Sequence, residues 1–395
     1  METPNKLLYI DREAVATLAM ARDGLLQPVT KLMNKQESEE VNKTGFYKDS
    51  IFPFSFILSP AGKRNNAVLK NAKEGDTLTL ICENKECGTL IVDSVFEINK
   101  DERIQKIYGT NNPEHPGVKD TYKRLGNLAV CGEYTVEFDD IKNNIKKINK
   151  TITNLEAKNV SSIILSGKPF HRVHERLIRT ALVKCDLLII FLQKPYHDDG
   201  RLSYKVRYET LKYFLDNFIP KDRVILLPLE NTYIFGGLNE LTLNSIVSKN
   251  YGATKLIIGQ NHAGLGAYWD HNEFVSIVDT LETLNIKIEI MSEFVYCDKC
   301  TTLVSTNACP HGSHHHVKYH NESIMELFRL GIIPPAILMR KEVSAIILSE
   351  LYPSRKATLK KIYQNLSTSS GVIDEFKCED FYDGLMHLYQ TSSLT

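Results

Sequence analysis

From Ser161 onward the chain alternates short, continuously apolar runs with longer stretches whose apolar residues recur at helical spacing. Ile163–Leu165, Leu187–Leu192, Val224–Leu229, Leu256–Gly259 and Ile286–Ile290 read as strands, apolar on both faces as a covered parallel sheet requires. Between them, helices are predicted from about Glu175 towards Cys185, over Tyr204–Phe218 and over Phe274–Leu284. Such alternation predicts a parallel sheet covered by helices, an α/β fold. Up to about residue 147 the pattern differs. Runs such as Phe52–Leu58, Thr77–Ile81 and Thr89–Val92, split by turn residues, predict a small β-rich domain. Lys142–Lys158, rich in lysine and asparagine, reads as a helix or linker with a solvated face. Ser323–Leu330 and Lys341–Leu351 read as helices, separated by Pro334-Pro335. The expected division is 1–147, 148–322 and 323–395, the last a small helical domain.

Composition narrows the field. A chain of 395 residues can bury two or three cores. Its 48 basic and 48 acidic residues give no overall field for nucleic acid or an anionic membrane. No run has the apolar length of a membrane span, and charges interrupt the first twenty residues, so a cytoplasmic protein is expected. Eight cysteines in this length do not suggest a disulfide framework. Cys82, Cys131, Cys185 and Cys378 read as reduced thiols, and Cys87 beside Gly88 as a turn residue.

The chemistry concentrates in two loops. The strand ending at Leu165 is followed by Ser166-Gly167-Lys168-Pro169-Phe170 and then His171-Arg172-Val173-His174 at a helix start. Two histidines three apart lie on one side of the first turn, beside the unpaired N–H groups and the positive end of the helix dipole. That arrangement suits a polyphosphate. Two surface histidines at a helix cap satisfy the same spacing. Downstream, Gly259-Gln260-Asn261-His262-Ala263-Gly264-Leu265-Gly266 follows the strand Lys255–Ile258. Glycines there let backbone approach a ligand at the carboxyl edge of a sheet. Both motifs follow predicted strands, so both are expected to reach one crevice.

Cys297-Asp298-Lys299-Cys300 precedes Cys309-Pro310-His311-Gly312-Ser313-His314-His315-His316. Three cysteines and a histidine supply the ligands that tetrahedral zinc prefers. A redox pair with a polar loop is the alternative. His311 is only two residues from Cys309, so His314 is the expected fourth ligand, with His315 next and His316 also in the run. With all four positions filled by protein, the zinc within 297–316 would be structural.

Taken together these motifs resemble the sulfate adenylyltransferase (ATP sulfurylase) family. The resemblance extends over nearly the whole length, through Thr17–Gly24 with Pro28-Val29-Thr30, Tyr108–Val118, Pro220–Leu226, Lys249–Gly252 and the His262 loop. It implies a PUA-like N-terminal domain, a Rossmann-like nucleotidyltransferase domain and a Cys3His zinc site. It further implies ATP as its Mg2+ complex, a small oxyanion acceptor, and a homo-oligomer, with a dimer expected. His171, Arg172, His174 and Lys168 would be catalytic. Gly259, Gln260, Asn261, His262, Ala263 and Gly264 would bind nucleotide. No Gly-x-x-x-x-Gly-Lys-Ser/Thr loop is present, so no fused kinase module is expected.

Several positions depart from the family. Its Gln-Thr-Arg-Asn-Pro run reads Leu165-Ser166-Gly167-Lys168-Pro169 here, so the sulfate-holding Gln and Arg are Leu165 and Gly167. Gln260 and Asn261 replace an Arg and an Asp, and Ile234 stands for a further active-site Arg. Lys168, Lys194 and Arg207 are the cations that could compensate. Alternatives to sulfate adenylylation are therefore the same chemistry on a different acceptor, in a larger and more apolar pocket, or a non-catalytic nucleotide-binding paralogue.

Overall fold

A computed structural model describes residues 6–196, 202–237, 239–259, 281–319, 321–352 and 382. The N-terminal part runs β1 (Leu7–Tyr9), α1 (Arg12–Arg22), α2 (Lys35–Thr44), β2 (Phe46–Tyr47), β3 (Ser50–Ile51), β4 (Leu58–Pro60), α3 (Lys63–Asn71), β5 (Thr77–Cys82), β6 (Lys85–Glu97), α4 (Lys100–Tyr108), α5 (Pro116–Arg124) and β7 (Leu125–Val136). Five of these strands form one sheet in the order β1-β5-β6-β7-β4. The long β6–β7 pair is its spine, bent by a register shift between Val92 and Ser94. Phe52–Leu58, predicted as a strand, is mostly a buried loop. Phe52, Phe54 and Phe56 all reach the core, so alternation at period two here marks burial without a ladder. Side chains and loop backbone satisfy the backbone instead: Asn42 accepts from the Ser55 N–H at 2.9 Å, Arg103 donates to the Ser55 carbonyl at 2.7 Å, and the Met33 N–H donates to the Phe56 carbonyl at 2.9 Å.

The second part runs α6 (Asp140–Leu155), β8 (Val160–Leu165), α7 (Arg172–Val183), β9 (Leu187–Pro195), α8 (Tyr204–Phe218), β10 (Val224–Asn231), α9 (Asn239–Asn250), β11 (Lys255–Gly259) and β12 (Lys287–Met291). The polar stretch after residue 142 is thus a helix, with Ile141 and Ile148 buried on one face. The sheet order is β10-β9-β8-β11-β12, and β11 pairs with β8 in parallel, Ile257 opposite Ile163. Every residue of β8 and the first six of β9 are buried, which accounts for their unbroken apolar sequences. Of the predicted Phe274–Leu284 helix, residues 274–280 lie outside the described residues, and Glu282–Leu284 forms a single 3-10 turn.

The chain then forms β13 (Phe294–Cys297), β14 (Thr302–Ser305), β15 (His316–Val317), α10 (Asn321–Arg329) and α11 (Lys341–Leu351). The three strands make a small antiparallel ribbon, β14-β13-β15. Two compact units result: residues 1–164, 185–196 and 227–290, and residues 165–184, 197–226 and 291–395. In the first, Tyr108 at the end of α4 packs on the turn after β10. A Cβ on Gly237, whose φ is +60°, would stand 2.7 Å from the Tyr108 carbonyl oxygen, and one on Gly236 would stand 2.5 Å from the Tyr108 ring. Tyr108 at the end of α4 is therefore the docking residue against this turn. Asn239 reinforces it by donating to the Lys106 carbonyl at 2.6 Å. No described helix is long and apolar enough to cross a membrane.

Candidate active site

Helix α7 begins three residues earlier than its apolar periodicity predicts, because His171 acts as its cap. Its backbone is extended (φ −151°, ψ 179°), and its Nδ1 accepts from the Val173 N–H at 3.3 Å. The His174 Nδ1 in turn accepts from the His171 N–H at 3.2 Å. The two imidazoles thus do the work that a Ser and a Glu do in an ordinary capping box. The sequence also allowed a helix cap made by two surface histidines; here the capping ring of His171 is buried, 6% exposed.

The capping bonds settle the tautomers. With Nδ1 accepting on both rings, the proton of each neutral ring sits on Nε2. For His171 that proton goes to Asn321 Oδ1 at 2.7 Å. His174 Nε2 has no protein partner among the described residues and stands as the pair's open donor. The rings lie 4.1 Å apart; His174 stacks on Phe170, and Tyr319 meets His171 edge-on. Burial pushes His171 down to about 4, against a smaller opposing effect of Asn321. Burial first, then His171, pushes His174 well below its ordinary value. Both are neutral donors at pH 7.

The backbone N–H groups expected to face a polyanion are engaged by protein. Arg172 N–H donates to the Leu338 carbonyl at 2.8 Å, and the His174 and Glu175 N–H groups close onto the His171 carbonyl. Arg172 itself donates to Glu175 and to the Ala336 carbonyl. Glu175, 4% exposed, is also gripped in bidentate fashion by Arg340 at 2.9 Å on both oxygens. In this arrangement Arg172 is a fixed strut of the helix start.

The loop before the cap explains one substitution. Gly167 has φ +60°, a conformation that favours glycine over arginine. Arg207, only 1% exposed, donates to the Ser166 carbonyl at 2.6 Å and so braces this loop. Lys194 is paired with the buried Glu230 at 3.1 Å. Ile234, 1% exposed, is buried. Lys168 is half-buried in the loop. Gly259 ends β11, whereas Gln260, Asn261, His262, Ala263 and Gly264 lie outside the described residues.

The ribbon carries a second centre. Cys297, Cys300, Cys309 and His311 bring their ligand atoms within 4.8 Å of one another. His311 Nδ1 lies 3.4, 3.2 and 3.6 Å from the sulfurs of Cys297, Cys300 and Cys309, and the last two sulfurs are 3.8 Å apart. Ligands about 2.3 Å (sulfur) and 2.0 Å (nitrogen) from a tetrahedral zinc are roughly 3.5–3.8 Å apart, so this donor set fits that ion. The fourth member is His311 and not His314, which corrects the sequence expectation. Nδ1 lies close to its own backbone, so two residues of separation suffice. His314 instead folds over Gly312, where a Cβ would lie 2.9 Å from its ring, and His315 pairs with Asp298 at 2.8 Å.

The ATP-sulfurylase family model matches residues 139–350, more than half the chain. The chain belongs to the ATP-sulfurylase family. A PUA-like domain matches residues 2–137. A sulfate adenylyltransferase of Psychrobacter sp. is 30% identical over 84% of this chain and 81% of its own. One from Staphylothermus marinus is 29% identical over 71% and 75%. Among solved structures, a hexameric APS kinase from Thiobacillus denitrificans covers 98% of this chain and 79% of its own at TM-score 0.63 and 15% identity, a likeness of fold. For an ATP-sulfurylase family member, the partners that sequence reasoning missed are Asn321, Tyr319, Phe170 and Arg340. Asn321 is 150 residues from His171, and no local pattern links the two.

Proposed function

We propose that the chain is a sulfate adenylyltransferase, joining ATP and sulfate to give adenylyl sulfate and pyrophosphate. The observation that carries this reading is the neutral, tautomer-locked His171–His174 pair in a chain of the ATP-sulfurylase family. A sulfate oxygen attacks the α-phosphorus, the α–β bridging P–O bond breaks, and pyrophosphate leaves with the electron pair. Sulfate has no proton to lose, so no general base is needed, and the protein contributes position and charge stabilisation. His174 Nε2–H donates to phosphate oxygens as charge shifts, while Asn321 and the cap hold His171 beside it. Mg2+ bound with ATP would offset the triphosphate charge.

The remaining assignments belong to the same proposal. Lys168 contributes a cation from the bracing loop, and Arg172 fixes the helix start. Residues 259–264 would bind nucleotide, on sequence grounds. Domains at 1–147, 148–322 and 323–395, a dimer, and a structural zinc on Cys297, Cys300, Cys309 and His311 complete it. Calorimetry with a non-hydrolysable ATP analogue tests the site. His174→Ala should weaken binding roughly tenfold, as loss of a charge-assisted hydrogen bond does, and parent-like affinity would refute the assignment.

A second reading has one observation in its favour. Of the cations that could replace the family's sulfate-binding arginines, Lys194 is neutralised by Glu230 and Arg207 is sealed against the Ser166 carbonyl. That favours the same adenylyl transfer to an acceptor other than sulfate. Pyrophosphate release with a panel of oxyanions and phosphorylated acceptors separates the two.

A further inference from the structure

On α7, away from the histidine pair, a cleft of about 330 Å³ opens between the helix, β14 and the segment leading into α11. Four arginines line it: Arg172, Arg176, Arg179 and Arg340. Like charges gathered in one concavity repel, and surface chance alone does not stack them. Here three of them, Arg172, Arg179 and Arg340, are held and oriented by protein contacts. Arg340 lies 3.6 Å from the Phe218 ring centroid, and Arg179 lies over Phe214 at 5.6 Å while donating to the Phe218 carbonyl at 3.0 Å. Arg340 and Arg172 share the buried Glu175, each using two of its five N–H donors on protein acceptors. Arg176 is exposed, and its guanidinium has no hydrogen-bond or ion-pair partner among the described residues.

The charges do not balance within the protein. Four guanidinium groups line the cleft with one carboxylate, Glu175, and Glu342 also acts on Arg172. The surplus matches a ligand of about two to three negative charges, and planar guanidiniums on aromatic platforms suit phosphate oxygens. We propose that this cleft is a second anion site, for a small phosphate-class polyanion, of which pyrophosphate is the simplest. Because Arg172 links the cleft to the histidine cap through its backbone bond to Leu338, an anion bound there would also stiffen the start of α7.

The test titrates pyrophosphate into the full-length protein already saturated with a non-hydrolysable ATP analogue, so that the histidine site is filled. The parent should still bind about one equivalent. Arg176→Glu should weaken this by roughly tenfold or more, and Arg176→Lys should retain most of it. Arg179→Ala, read in parallel, guards against a special effect of the introduced carboxylate and should also weaken binding. Orthophosphate should bind more weakly than pyrophosphate if several arginines act together. No residual pyrophosphate binding in the analogue-loaded parent would overturn the proposal, as would equal binding by parent, Arg176→Glu and Arg179→Ala. If the analogue itself does not bind, the nucleotide-site reading has failed, and the same variants titrated without it still decide for or against the cleft.

Discussion

A proton added to His171 has nowhere to go. Its Nδ1 already accepts from the Val173 N–H, and its Nε2–H is given to Asn321. Protonation would break the cap and bury a charge. The folded state therefore holds this ring at about 4, whereas an unfolded chain titrates near 6.5. The sign follows from proton counts. Between these values the unfolded chain takes up a proton that the folded chain refuses, so stability present above pH 6.5 is lost as pH falls towards 4. The full effect is about 3 kcal/mol. Asparagine caps helices well and does not titrate. His171→Asn should therefore fold, and its urea midpoint should fall less between pH 7 and pH 5 than the parent's. Equal losses would show that His171 is not the proton-sensitive group.

Among the elements, the ribbon and the Tyr108 docking turn depend on single positions. The ribbon has three short strands and little core of its own, so a bound zinc would supply much of its stability. Elemental analysis of protein purified without a histidine tag should give about one zinc per chain. His311→Ala should lose most of it and His314→Ala should not, since only His311 Nδ1 lies among the sulfurs. Retention by His311→Ala with loss by His314→Ala would reverse the assignment. At the docking turn, Gly237→Ala combines a positive φ with a Cβ against the Tyr108 backbone. Chemical denaturation should show a loss of about 1–3 kcal/mol. An unchanged midpoint would mean that α4 and this turn part without consequence.

For the molecule as a whole, the proposed activity depends on the balance between ATP and acceptor. Hydrogen bonds to charged groups contribute roughly 1.5–3 kcal/mol each, so losing two can weaken anion binding by several orders of magnitude. Gly167 takes a left-handed conformation, and Lys194 and Arg207 are held by Glu230 and the Ser166 carbonyl. Sulfate, if it is the acceptor, should therefore show an unusually high KM, while ATP affinity stays ordinary. Pyrophosphate release with sulfate titrated checks this, and saturation at low sulfate would mean that other residues have rebuilt the anion site.

What was legible in the chain was local. The periods of the apolar residues placed the strands of the central sheet and the helices Tyr204–Phe218 and Lys341–Leu351, because burial of one face repeats within a few residues. The His-Arg-Val-His start and the three cysteines were equally visible, since each motif is short. Phe52–Leu58 misled because burial without a ladder leaves the same alternation as a strand. The remaining features needed the folded chain. Asn321 meets His171 across 150 residues, Arg340 meets Glu175 across 165, and His311 displaces His314 by the turn of one loop. Hydrogen bonds and ligand sets are decided by distances of a few tenths of an ångström. Residue spacing along the chain carries no such distances; packing does.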